Sequence, residues 1–494
     1  MPRSREGFLW TPARTIDGLE TDAAITTQTK HLQSEYDVVI IGAGFSGLTA
    51  ARELTRNKNK GELKVLLVEA RDRIGGRTWT AKALGEEFEM GGTWVHWNQP
   101  HVYSEIHRYD LHRHLKSSAG TLAAQKQYYR SATGNHTVEE IFPELTVASM
   151  EHVAAEFFKV DGGDSRQLMP YPHDPFREPT PWKKYDHLTL RQRLDQLGKI
   201  SEREKEIFES HINTLGSCPG TDTGFVEFLR WFALGGHSFA GMFELAGIYK
   251  LGNGGMTGLA TSVFHDTGAD VLLECAVSEI RQDLAGVSLR TKDGRIIKNE
   301  NWNCLSDITF QPPLSPLKQE AIRAGHINKG AKIHFRLKET EPGLFATCSS
   351  SGHSPFVFAF SDHNGTRRDR GADGTWCIGF SYSGYLTDKR DSNHIVNQFC
   401  TNVRPGANVE AYLTHDWMND PFAKGTWSCW GPSHMAKYVQ ELQRPHGRVV
   451  FASPDWADGW QGFIDGAIEQ GIVASRTVQR RLDGEGCQNA QARL

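Results

Sequence analysis

The chain has 494 residues, of which 38% are hydrophobic and 23% charged, and a formal net charge of −4 at pH 7. That length predicts two or three structural units with a sizeable core. The small charge, without any run of Lys or Arg, excludes nucleic acid or an anionic membrane as the main partner, and no apolar stretch is long enough to span a bilayer.

The first 35 residues are mixed and polar, without a secretory apolar core or the Arg-rich bias of a transit peptide, and read as an N-terminal arm. Next comes Asp37-Val-Val-Ile-Ile-Gly42-Ala-Gly44-Phe-Ser-Gly47-Leu. It predicts a buried parallel strand over Val38 to Ile41, a tight glycine turn and a helix from Leu48 to Leu54, whose N-terminus can meet a pyrophosphate. Glu69 ends the second strand in Val-Leu-Leu-Val-Glu69-Ala-Arg71. An acid about 20 residues after the glycines accepts both ribose hydroxyls and disfavours a 2′-phosphate, which points to FAD or NAD over NADP.

Two glycine pairs follow, in Ile-Gly75-Gly76-Arg77 and Met-Gly91-Gly92-Thr93-Trp94. They let backbone lie against a flat or anionic ligand, and Arg77 can offer phosphate a bidentate cation. Apolar residues recur at helical intervals over Leu190 to Leu197, Glu202 to Thr214 and Phe225 to Phe232, whereas Lys332 to Leu337 alternates like a half-buried strand. There is no internal repeat. Eight scattered cysteines with no CxxC pair suit reduced thiols better than a disulfide framework or zinc site, so no metal is expected. The ending Ala492-Arg493-Leu494 has the chemistry of the tripeptide read by the peroxisomal import receptor, which makes a peroxisomal location the expectation.

Together these motifs resemble the flavin-containing amine oxidase family, and the likeness extends over nearly the whole chain. Arg448-Val-Val-Phe-Ala-Ser-Pro-Asp455 and Trp460-Gln-Gly-Phe463-Ile464-Asp-Gly466 look like the family's last strand and final flavin-binding helix. Glu274-Cys-Ala-Val277 is similar to the strand that closes over the adenine. The likeness is closest to fungal monoamine oxidases, through Phe8-Leu9-Trp10, Gly92-Thr-Trp-Val-His-Trp97 and Phe422-Ala-Lys-Gly425. The resemblance implies an α/β fold with a Rossmann-type FAD-binding domain interleaved with an α+β substrate domain. The first would comprise about 36–98, 250–321 and 421–485, the second about 99–249 and 322–420, with a tail over 486–494. Implied FAD-binding residues are Gly42, Gly44, Gly47, Glu69, Arg71, Gly76, Arg77, Gly92, Thr93, Val277, Asp455 and Ile464.

The implied activity is oxidation of a primary amine at its α-carbon, with hydride equivalents passing to flavin N5. Reoxidation by O2 then yields H2O2, and the imine hydrolyses to aldehyde and ammonia. Trp427 and Phe463 match the two aromatic walls before the flavin, whose negative faces favour an amine and exclude water. Lys332 matches the lysine that holds a water against N5, and a buried lysine shifts its pKa readily. On residue physics alone, the two rings also read as core and Lys332 as a surface strand lysine. Thr426 stands where animal monoamine oxidases carry the linking cysteine, so non-covalent FAD is expected, and Cys429 reads as a structural thiol. His211, Thr214, Phe243 and Gly247 fall on pocket positions that are mostly aliphatic or aromatic in the fungal relatives, although His211 reads equally as a solvated residue. A polyamine oxidase would want acids along a tunnel, for which Glu244 is the one candidate. An amino-acid oxidase would need an arginine clamp, and no arginine is assigned to the pocket by the resemblance. A non-catalytic flavoprotein is the third alternative, and a homo-oligomer is allowed.

One departure bears on all of these. Lys298-Asn-Glu-Asn-Trp-Asn-Cys-Leu-Ser-Asp-Ile308 stands where the family has an apolar strand. Such a run cannot fill a buried parallel position, so the sheet is expected to lose a member. Either a different local path substitutes, or the sequence is altered here, as by a wrongly drawn splice junction, or the protein is a damaged relative; the second is the working hypothesis, and a transcript encoding residues 290–312 as written would sink it.

Overall fold

The computed structural model describes residues 2–25, 28–56, 63–122, 124–131, 137–283, 286–292, 305–349, 354–363, 374–381 and 384–484. The polar run 298–304 and the tripeptide 492–494 lie outside them.

The glycine turn joins the strand Val38–Ile41 to the helix Phe45–Thr55. This strand pairs in parallel with Val65–Val68, which pairs in turn with Asp270–Leu272. Val65–Val68 has the uninterrupted apolar run of a strand covered on both faces, and its four residues are buried. The helix Phe45–Thr55 packs on the helix Ile464–Leu482, so an early and a late segment of the chain meet beside the turn. Their approach requires glycine: a Cβ on Gly471 would lie 2.5 Å from the Ser46 carbonyl oxygen.

Two expectations in this layer are corrected. Val38–Ile41 is half-buried, because among the described residues no strand pairs its second edge. A cavity of about 860 Å³ lies there, with Val449–Phe451 also among its lining. Residues 448–451, expected as the last strand, make a single bridge between His446 and Val449, since no described strand stands beside them. Thr309–Gln311 pairs instead with Val277–Gln282 in a separate small sheet that also holds Val287–Thr291.

The largest sheet has nine strands, in the order Arg14–Asp17, Phe8–Thr11, Val409–Thr414, Ala331–Leu337, Thr375–Ser381, Phe356–His363, Leu344–Cys348, Lys126–Arg130 and Val138–Ile141. The N-terminal residues are therefore a hairpin on a sheet edge and not a free arm: Phe8 and Trp10 pack on Tyr412, at 5.9 and 5.4 Å between ring centroids. Ala331–Leu337 is buried on both faces instead of one. Ile333 and Phe335 pack under the helix Ser392–Asn402, whereas Lys332 faces a cavity. The helices Glu202–Gly216 and Phe239–Gly247 wall the other side of that cavity, the first started by a capping box between Ser201 and Glu204. No helix among the described residues is long and apolar enough to cross a membrane.

Candidate active site

A cavity of about 590 Å³ runs from the glycine turn to the helical wall, and every candidate residue except Asp455 lines it. At one end lie Gly42, Gly44 and Gly47. Gly42 has φ 90°, and a Cβ on Gly47 would sit 1.9 Å from the Gly42 carbonyl oxygen, so the turn admits no side chain there. Gly44 starts the helix without a side-chain cap, which leaves first-turn N–H groups for an anion. The Glu69 carboxylate accepts from the backbone N–H groups of Ala43 and Arg71 at 2.7 and 2.8 Å. Gly76, at φ 61°, would bring a Cβ within 3.2 Å of Gly44 Cα, and one on Gly92 would lie 2.8 Å from Thr78 Oγ1. Val277 and Ile464 open the strand and the helix that complete this end. A cradle of bare backbone, an uncapped helix and an acid beyond it fit the pyrophosphate and ribose of FAD.

Both arginines line the cavity and each is also held by a carboxylate. The Arg77 fork is taken by Asp455, at 3.0 and 2.9 Å, and its Nη1 also donates to the Thr426 carbonyl. Asp455 is buried behind the wall and positions Arg77. Arg71 pairs bidentately with Asp420, at 2.7 and 2.8 Å, and contacts Glu6 from the N-terminal hairpin segment. Burial opposes ionisation of Asp420, but the His415 hydrogen bond and Arg71 hold its carboxyl below the ordinary range.

At the middle of the cavity, Lys332 Nζ donates to the Gly91 carbonyl at 3.0 Å and to Thr93 Oγ1, and it lies 5.0 Å from the Trp94 ring centroid. Burial drives its pKa down against the opposing pull of Glu89, and burial drives Glu89 up. Thr93 thus serves the lysine. Trp427 Nε1 donates to the Leu215 carbonyl at 2.6 Å, which fixes the ring, and Phe380 meets it edge-on at 6.1 Å. Phe463 is held by Trp460 and Trp231, at 5.2 and 6.0 Å. Thr426 Oγ1 donates to Asn328 Oδ1 at 2.6 Å and offers no thiol. Cys429 is buried, and burial followed by the neighbouring Cys218 pushes its thiol well up.

At the far end His211 is buried in the wall, not solvated. Its Nδ1 lies 2.8 Å from the Ile207 carbonyl and its Nε2 2.9 Å from Gln127 Nε2, and burial lowers its pKa to about 4. Thr214 Oγ1 donates to the His211 carbonyl, and Phe243 and Gly247 belong to the facing helix Phe239–Gly247. Glu244, 45% exposed at its side chain, lies 3.3 Å from His96 Nε2. Sequence reasoning missed Gln127, Trp94 and the ring floor of Phe358, Phe360 and Phe380. The alternation Phe356-Val-Phe358-Ala-Phe360 carried the signal for the floor; nothing local marks Gln127.

The chain is 33% identical over 461 residues to pseudooxynicotine dehydrogenase of a Pseudomonas species, covering 91% of this chain and 88% of that one. It is 30% identical over 498 residues to nicotine dehydrogenase of Pseudomonas putida, covering 97% and 98%. Putrescine oxidase solved with putrescine shares the fold, with a TM-score of 0.71 at 20% identity over 91% of this chain and 99% of that one. Residues 45–479 match the family described as flavin containing amine oxidoreductase, and the chain belongs to that family.

Proposed function

We propose that this enzyme oxidises primary amines bearing an aromatic group, on non-covalently held FAD with O2 as acceptor and H2O2 as product. The observation that carries this is one continuous cavity, from the glycine cradle past Lys332 and Trp427 to an aromatic-lined end. Bound in the cradle, the flavin supplies the acceptor for the electrons of the C–H bond beside nitrogen. The chain supplies the rest. Trp427, Phe463 and Phe380 exclude water and present ring faces that attract an amine. Lys332, fixed by Gly91 and Thr93 and pushed down in pKa, exchanges a proton nearer neutrality than a free lysine does. Thr426 offers no sulfur for a covalent link.

The cavity disfavours the other amine classes. Among the described lining residues the acids are Glu69 at the ribose end, Glu244 and Asp307, too few for a polyamine tunnel. The lining arginines, Arg71 and Arg77, are both paired with carboxylates, so neither clamps an amino-acid carboxylate. Two relatives are named for nicotine and pseudooxynicotine, which supports an amine that carries a ring. The test is the visible spectrum under anaerobic benzylamine. Flavin bands should bleach and return with air while peroxide forms; bands that persist under amine would overturn the proposal.

A further inference from the structure

The cross-strand register lays out the cavity floor. Lys332 stands opposite Phe380, Phe380 opposite Phe358, Phe360 opposite Phe345, and Phe345 opposite Gln127. Directly opposed residues share a face of a sheet, as do residues two apart such as Phe358 and Phe360. All of them line the cavity. One face of the large sheet is therefore a floor, with Lys332 at one end, Gln127 at the other and stacked rings between: Phe358 lies 4.5 Å from Phe380, and Phe345 lies 6.4 Å from Phe360. Four strand spacings separate the two ends, ~19 Å at about 4.8 Å each. With both side chains reaching into the cavity, the space between suits a ring on a short alkylamine arm.

The polarity of the far end follows from hydrogen-bond logic. The Ile207 carbonyl can only accept, so His211 Nδ1 carries the proton. Neutral in its buried site, His211 has a bare Nε2, which must accept, so Gln127 turns its NH2 toward the imidazole. That fixes the amide and leaves Gln127 Oε1 without a protein donor among the described residues, on a side chain of a residue only 4% exposed. An amide oxygen that faces the cavity without a protein donor is an acceptor open to a ligand hydroxyl or N–H.

We propose that Gln127, oriented by His211, determines specificity by accepting a hydrogen bond from a hydroxyl or N–H group at the end of the substrate opposite its amine. This rests on the reading that the amine is oxidised at the Lys332 end. The substrate class is thus a para-hydroxylated or similarly donor-bearing arylalkylamine. His211 is a positioning residue, since it touches Gln127 and holds its amide in one orientation.

The test uses the flavin-loaded enzyme with phenylalkylamines of two to four methylenes and their para-hydroxylated counterparts, phenethylamine and tyramine being the shortest pair. Kd is read from the perturbation of the flavin spectrum, and KM and kcat from turnover. The hydroxylated member of the best-fitting pair should bind up to about tenfold tighter, the range of one net hydrogen bond. In Gln127→Leu that ratio should collapse to about one. Gln127→Asn, which keeps the amide on a shorter arm, should restore part of the preference and move it to the longer amines. His211→Phe should shrink the ratio through KM, with kcat little moved. A preference that survives Gln127→Leu, or no preference in any pair, overturns the proposal. Flavin that no amine bleaches defeats the oxidase reading instead, and the Kd ratio still decides on Gln127.

Discussion

Lys332 and Asp455 place two of the site's charges, and each can be removed with little change of shape. Lys332→Met keeps most of the volume and deletes the ammonium that Gly91 and Thr93 hold. If that group moves a proton during reoxidation, the rate at which the reduced enzyme regains its visible absorption in air should fall by about a hundredfold, with flavin still bound. An unchanged rate in stopped-flow mixing would assign Lys332 to packing. Asp455→Ala acts differently, since it strands the largely buried Arg77 with a vacant partner. Unpairing such a charge costs about 3 kcal/mol or more. Because Arg77 also holds the Thr426 carbonyl next to Trp427, urea denaturation should show the loss together with a raised KM for amines.

Among the elements, those that depend on local pattern were legible in the sequence. Strand Val38–Ile41 was placed to the residue, and the helices at Glu202–Gly216 and Phe225–Leu234 nearly so, because apolar spacing and caps are written within each segment. What depends on a distant partner was not. The hairpin at Phe8–Thr11 exists because Phe8 pairs with Thr414, and no signal near residue 8 says so. The two-sided burial of Ala331–Leu337 comes from a helix some 60 residues later in the chain. Within the site, glycines and wall rings were readable as motifs, whereas Gln127 reaches the floor only through its register with Phe345. The glycine turn offers the sharpest test at this scale. A Cβ in Gly47→Ala would have to displace the Gly42 backbone, which no rotamer change relieves. The variant should keep its far-ultraviolet circular dichroism and purify without flavin absorption; a yellow, stoichiometrically loaded variant would refute the cradle.

Across the whole molecule, buried ionisable groups set the pH dependence of stability, and two sets oppose each other. Burial lowers His211 and His326 to about 4 and His334 to about 3, so each binds its proton less readily folded than unfolded. Their contribution to stability is whole above about 6.5 and is lost as pH falls toward those values. Glu227 runs the other way. Burial raises it to about 8, Oε2 has no hydrogen-bond partner, and the neighbouring Arg230 donates to Gln461 and to backbone carbonyls. The folded state thus keeps a proton on Glu227 that the unfolded chain releases, and this stabilises the fold progressively as pH falls from about 8 to about 4.5. Glu227→Gln mimics the protonated form at every pH, and in a difference measurement all other groups cancel. The variant should exceed the parent in stability at pH 8 and lose that advantage by on the order of 1 kcal/mol per pH unit down to pH 4.5. With the Glu227 offset gone, acid destabilisation from the histidines should set in nearer pH 6.5 than in the parent. Denaturant midpoints of the two proteins at matched pH decide the matter, since a difference that stays constant with pH would mean that Glu227 is ionised in the fold.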